Sequence, residues 1–239
     1  MPPPSLERQQ VQFNRVLLQV LRPGLRWLEI GCGHSSFDKE LPVSEWQPVL
    51  SSLSLAVGVD NHFASLRRNR EMPARVCADA VALPFRDGTF DLVSANMLAQ
   101  HLPDPVAVLR EIARVLRPGG KFLFQTTNTL NYQIALSRLA NHGIQKSLTG
   151  WLEHRPADEV YRLYHQLNGQ RQIEKCARTA GFCGVEIRYA DSPGVLHALG
   201  PLRFIETISG RVLEHNSFRR YRRNLIVTLQ LPSAYQREE

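Results

Sequence analysis

The chain has 239 residues, 43% hydrophobic and 21% charged, the profile of an ordinary globular protein long enough to bury a sizeable core. Its longest apolar runs, such as LSLAVGV and LIVTL, fall far short of the roughly 18 to 20 residues that cross a bilayer, and the opening MPPPSLERQQ lacks the pattern of a secretory signal, so a cytoplasmic setting is expected. The net charge of +7, from 29 basic and 22 acidic residues, admits an anionic partner without requiring one, and Cys32, Cys77, Cys176 and Cys183 have no zinc-type or redox-type spacing.

Leu6, Phe13, Leu17 and Val20 or Leu21 recur at helical spacing, so residues 6–21 read as an amphipathic helix closed by Pro23-Gly24. RWLEI is a buried strand, and a turn holding Gly31 and Gly33 follows it. After a helical or irregular stretch with Pro42 and Pro48, LAVGVD forms a second strand ending at Asp60, ARVCAD a third ending at Asp79, and FDLVSA a fourth ending near Ala95. DPVAVLREIARVL places Val106, Leu109, Ile112, Ala113 and Leu116 on one helical face, Pro118-Gly119-Gly120 stops it, and KFLFQTT is the fifth strand. Residues 128–168, rich in Tyr, His and Trp and long for a crossover, form a candidate lid. The alternation resumes with helix GQRQIEKCARTAGF, strand GVEIRYA, a helical region around residues 195–219 and a last strand NLIVTLQL.

Strands alternating with helices, with apolar runs too continuous to face water on one side, predict a doubly wound α/β fold with a mainly parallel sheet covered on both faces. In such a sheet the ligand sits at the carboxyl ends of the strands, beside the switch in strand order. The expected layout is a single domain: residues 1–24 as an N-terminal helix, 25–127 as the ligand-binding core, 128–168 as the lid or substrate insertion, and 169–239 as the C-terminal part of the sheet.

The residues at the strand ends describe a ligand. The turn reads E-x-G-x-G-x-S, whereas a dinucleotide site carries G-x-G-x-x-G. Glu29 at the end of the first strand repels phosphate and suits an ammonium group. Asp60 can accept from two ribose hydroxyls, and Asp79 can accept from an adenine amino group while the Ala80 N–H faces a ring nitrogen. A phosphate-free adenosine with a cationic amino-acid tail fits this set. S-adenosylmethionine is that molecule.

LEIGCGHSS, VGVD and CADAVALPFRDGTFDLVSANMLAQHLPDPVAVLREIARVLRPGGKFLF together resemble a class I S-adenosylmethionine-dependent methyltransferase of the broad small-molecule branch often called type 11. The resemblance covers roughly residues 25–127 and extends more weakly over EKCARTAGF. It implies a Rossmann-like seven-stranded sheet in which NLIVTLQL inserts antiparallel beside the fifth strand. It further implies that Glu29, Gly31, Cys32 and Gly33 line the methionine part, Asp60 with its neighbour Asn61 the ribose, and Asp79 and Ala80 the adenine. The Asn96 backbone carbonyl would meet the ammonium group, and His62 would flank the adenosine. Two positions depart from the family pattern: Ser35, which at a helix start would cap backbone N–H groups, and Gln100, where this branch commonly has a glutamate.

Methyl transfer from a sulfonium mainly requires alignment of donor and acceptor, and a base only for a weakly acidic nucleophile such as an alcohol. His101, just beyond the fourth strand, is the first candidate for that base; the competing role is packing of the turn before Pro103. Tyr132, Tyr161, Tyr164 and His165, with His154, are candidate substrate contacts in the lid, and Glu153, Asp158 and Glu159 read as a charged helix start, so no metal is assigned. SANM stands where N-P-P-Y or D-P-P-Y would organise amino-group methylation, and no Pro-Cys pair suits attack on cytosine. The expected acceptor is therefore a small-molecule or lipid-linked metabolite, methylated by in-line displacement at oxygen, with carbon and nitrogen left open. Two alternatives stay open: an RNA methyltransferase that uses Arg219–Arg223 as its phosphate contact, and a non-catalytic adenosylmethionine-binding subunit.

Overall fold

The computed structural model of the protein describes residues 9–131, 163–191 and 215–233. Five helices, α1 (Gln9–Val20), α2 (Val43–Ser51), α3 (Phe63–Arg68), α4 (Pro105–Val115) and α5 (Gln170–Thr179), accompany seven strands: β1 (Arg26–Ile30), β2 (Leu55–Asp60), β3 (Ala74–Cys77), β4 (Phe90–Asn96), β5 (Leu116–Thr127), β6 (Gly184–Ala190) and β7 (Asn224–Gln230). They form one sheet in the order β3-β2-β1-β4-β5-β7-β6. β7 runs antiparallel to both β5 and β6, so NLIVTLQL inserts as expected. The order reverses between β1 and β4, which opens a crevice at the carboxyl ends of those two strands.

β1 lies inside the sheet between β2 and β4, with four of its five residues buried: Trp27, Leu28 and Ile30 are apolar, as a strand covered on both faces requires, and Glu29 is the polar exception. On one face Leu28, Val93, Phe122 and Phe124 pack with Val108, Leu109 and Ile112 of α4 and Ile173 of α5. On the other, Trp27, Leu92, Leu123 and Ile226 pack with Phe13 and Leu17 of α1. Trp27 buries its indole N–H by donating to Ser94 Oγ at 2.9 Å.

α4 starts where Asp104 accepts from the Val106 and Ala107 N–H groups, with Pro105 at its first position. Its buried face is Val108, Leu109, Ile112 and Val115; Val106 and Ala113, expected on that face, are half-buried. The helix ends at Val115, and Leu116 already pairs with Phe90, so the Pro-Gly-Gly segment lies inside β5, at an irregular register, rather than between helix and strand. Gly119 takes a φ of +77°, which a side chain would strain. The helix α3 was not anticipated: it has six residues, no side-chain cap and few apolar positions to set a period.

Both described ends of the 128–168 insertion return to the end of β5. The Thr129 N–H donates to the Asn168 carbonyl at 2.9 Å, and the buried Asn168 amide donates to Thr126 Oγ1, the Thr127 carbonyl and Thr127 Oγ1. Tyr132, His154, Tyr161 and the acids Glu153, Asp158 and Glu159 lie outside the described residues. Among the described residues no helix is long and apolar enough to cross a membrane.

Candidate functional site

The turn after β1 is held by its own backbone. Gly31 and Gly33 have φ of +72° and +53°, which only glycine adopts without strain, and the Gly31 and Cys32 N–H groups both donate to the Val59 carbonyl, at 2.7 and 3.1 Å. Cys32 is buried against β2, where a Cβ on Gly58 would stand 2.8 Å from Cys32 Sγ and 3.0 Å from Met72 Cγ. Gly58→Ala is therefore expected to overpack the turn and cost about 1–3 kcal/mol of stability. The double variant with Cys32→Ala should recover much of that loss in a thermal melt, because the closest clashing atom is gone.

Asp60, at the end of β2, binds the turn through both oxygens: the Gly33 N–H donates to Oδ2 and the His62 N–H to Oδ1, each at 2.8 Å. Each oxygen keeps a further lone pair for a ligand hydroxyl. Asp79 is exposed beyond β3 with Oδ1 accepting from the Val81 N–H at 3.2 Å, and Ala80 is half-buried beside it. Asn61 is exposed next to Asp60, its carbonyl 3.8 Å from Cys77 Sγ, and the His62 ring is tied to Ser65 Oγ at 2.8 Å. Phe63 and Val81, two apolar side chains that periodicity did not single out, are 61% and 48% exposed at these same two strand ends.

Glu29 is only 2% exposed, and burial pushes its carboxyl up to about 8, with Glu71 and Asp60 adding to the rise and a Ser36 hydrogen bond opposing it. Its Oε2 has no hydrogen-bond partner, nor do Asn96 Oδ1 or either amide atom of the fully buried Gln125. Strand alternation puts Glu29, Asn96 and Gln125 on the sheet face that carries Trp27, Leu92 and Leu123, with Glu29 beside Ser94 and Asn96 beside Gln125 in register. Buried polar atoms of this kind cost about 1–3 kcal/mol each when left unmet, so this patch calls for polar partners. Gln125 was invisible in the sequence, where KFLFQTT reads simply as a buried strand.

Ser35 departs from its expected role. No helix begins at the turn, since α2 starts at Val43, and Ser35 Oγ instead lies 2.6 Å from the Phe37 carbonyl and 2.9 Å from Glu71 Oε1. Near the end of β4, Met97 has a φ of +56°, a strained value for a non-glycine residue. Ala99–His101 then form a single 3-10 turn, in which His101 Nε2 lies 3.1 Å from the buried Gln100 amide nitrogen. A neutral amide thus holds the imidazole where the family's usual glutamate would have placed a charge. The Gln100 carbonyl accepts from the Tyr164 and His165 N–H groups, at 2.9 and 3.3 Å, so two of the five lid candidates are tethered next to His101. His165 is also strained, with a φ of +52°.

The Arg219–Arg223 cluster does not form one basic face. Arg223 is buried and paired with Asp191 at 2.9 Å, and Arg222 donates to the Tyr189 carbonyl. Arg220 stacks on Tyr221, 4.9 Å from its ring centre. Arg219 and Arg220 do line a cleft of about 380 Å³ against β6, but Glu174 shares that lining and opposes a phosphate.

The fold has known counterparts. The methyltransferase domain family matches residues 28–124, from β1 to β5. Over this segment the chain is similar to the S-adenosylmethionine-dependent methyltransferases. Relatives of the chain include cycloartenol-C-24-methyltransferase 1 of Oryza sativa subsp. japonica, 29% identical over 177 residues, covering 70% of this chain and 45% of that protein. They also include the ubiquinone biosynthesis O-methyltransferase of Xanthomonas campestris pv. campestris, 26% identical over 144 residues and 60% of each chain. The chain thus spans about half the length of these curated relatives. Haemonchus contortus phosphoethanolamine N-methyltransferase 2, solved with S-adenosyl-L-methionine, has the same fold, with a TM-score of 0.57 at 20% identity over 93% of this chain and 52% of that one.

Proposed function

We propose that the protein transfers a methyl group from S-adenosylmethionine to oxygen of a small-molecule or lipid-linked metabolite. The observation that carries this reading is the set of buried, unpartnered atoms at the switch point: Glu29 Oε2, Asn96 Oδ1 and the Gln125 amide. Three oxygens suit the three protons of an ammonium group, and the amide N–H suits a carboxylate, which is the donor and acceptor set of an α-amino acid. The turn itself has open space, since a Cβ on Gly33 would meet nothing within 4 Å.

In this reading Glu29 holds the ammonium group, Gly31, Cys32 and Gly33 line the methionine part, and the free lone pairs of Asp60 take the ribose hydroxyls. Asp79 and the Ala80 N–H take the adenine edge, and Phe63 and Val81 offer it apolar surface. Bound there, S-adenosylmethionine supplies an electrophilic methyl group on a sulfonium. The chain's part is alignment and exclusion of water, with His101 Nε2 accepting the proton of a hydroxyl acceptor in place of the Gln100 amide contact. Tyr164 and His165, docked on Gln100, stand on the acceptor side. The relatives named for cycloartenol and for ubiquinone biosynthesis support an apolar metabolite as acceptor.

Calorimetric titration with S-adenosylmethionine, and in parallel with reduced nicotinamide dinucleotide, tests the first half: binding of the former alone is expected, and binding of neither, or of the dinucleotide, removes the reading. His101→Ala tests the second half. Turnover should fall about 10²–10⁴-fold, the range of general-base catalysis, with cofactor affinity nearly unchanged; equal activity assigns the ring to packing.

A further inference from the structure

The amide groups that follow the glycine-rich turn already have an anion. The Ser36 and Phe37 N–H groups donate to Glu71 Oε2 at 2.6 and 2.9 Å, and Ser35 Oγ is within 2.9 Å of Glu71 Oε1. Where a nucleotide diphosphate is bound after a first strand, it takes backbone N–H groups of this kind at a helix start. Here the helix start is missing, and a side chain 34 or 35 residues away fills the position.

The occupant is itself firmly placed. Asn69, fully buried, accepts through Oδ1 from the Glu71 and Met72 N–H groups at 3.1 Å each. Its amide nitrogen lies 3.3 to 3.4 Å from the Cys32 and Gly33 carbonyls and Ser36 Oγ. Residues 69–72 therefore clamp the turn from both its donor and its acceptor sides. Glu71 also stands near Glu29 and Asp60, and its charge contributes to holding the Glu29 proton. A phosphate entering this turn would have to displace one carboxylate and approach that of Asp60. A sulfonium and an ammonium group would meet the opposite field.

We propose that Glu71 is a specificity-determining residue: its carboxylate, seated on the Ser36 and Phe37 N–H groups, closes the turn to phosphate and keeps it for a cationic, phosphate-free nucleoside. This rests on the cofactor reading above. It assigns the discrimination to a residue outside the strand ends.

The test compares binding of S-adenosylmethionine and adenosine diphosphate to the full chain, as wild type, Glu71→Gln and Glu71→Ala, with circular dichroism and a thermal melt to confirm folding. Wild type should bind the first and reject the second. In Glu71→Ala, the affinity for the diphosphate relative to S-adenosylmethionine should rise about tenfold or more, the effect of removing one like charge at hydrogen-bond range. Glu71→Gln, which keeps an acceptor on the amides but no charge, should shift the ratio in the same direction by less. A merely structural brace would weaken both ligands together, so an unchanged ratio in the folded variants overturns the proposal, and Glu71→Gln decides alone if the alanine variant does not fold. Wild type that binds the diphosphate as tightly as S-adenosylmethionine overturns it as well. Wild type that binds neither removes the cofactor reading, and this proposal with it.

Discussion

Glu29→Gln is expected to weaken S-adenosylmethionine binding by about 4 kcal/mol, or roughly a thousandfold, while making the ligand-free protein more stable at alkaline pH. The first figure is the attraction of two unit charges about 4 Å apart at an effective dielectric of about 20, and it applies above about pH 8, where Glu29 is ionised. The second follows from the direction of the titration. Burial raises the carboxyl from an ordinary 4.5 to about 8, so between these values the folded state keeps a proton that the unfolded state has released. Stability from this group is fully present below about 4.5 and is lost as pH rises through about 8. Each pH unit in that window costs about 1.4 kcal/mol. Thermal melts of the ligand-free protein from pH 5 to 9 should therefore fall more steeply for wild type than for Glu29→Gln, and the curves should cross below pH 8. Parallel curves would mean that Glu29 carries no raised titration, and unchanged cofactor affinity would place the ammonium group elsewhere.

Asp60→Ala should be the next most damaging change. Loss of the two ribose acceptors removes about 1.5–3 kcal/mol, the range for hydrogen bonds to a charged group, or roughly 10- to 150-fold in affinity. The same substitution releases the Gly33 and His62 N–H groups, so the turn should loosen and the melting temperature of the ligand-free protein should drop. Asp60→Asn keeps one acceptor oxygen and separates the two effects. It should melt nearer to wild type than Asp60→Ala while still losing affinity, measured by calorimetry. A folded alanine variant that binds S-adenosylmethionine like wild type would exclude the ribose role.

Much of the site was legible because strand ends are. Glu29, Asp60 and Asp79 close three apolar runs, and a parallel sheet gathers the carboxyl ends of its strands at one edge. The partners that tune those residues were not legible. Glu71 follows a short uncapped helix with no pattern to point it at the turn, and Ser35 read as a helix cap because nothing local announced that the helix was missing. Arg219–Arg223 read as one cluster because charge is counted along the chain, whereas the Asp191 that takes Arg223 comes from the end of another strand.

By itself, then, the sequence determined the strand and helix alternation, the glycine positions and the acids at the strand ends, all of which depend on local periodicity or on backbone angles that one residue type can adopt. Only the tertiary structure decided the rest. It fixed the register of β7 on β5, brought Gln125 beside Asn96, set Tyr164 and His165 on Gln100, and seated Glu71 on the turn. These contacts link residues from about 30 to 100 positions apart, and they are selected by which buried donors and acceptors must be satisfied once the sheet has formed, a condition that no short window of sequence contains.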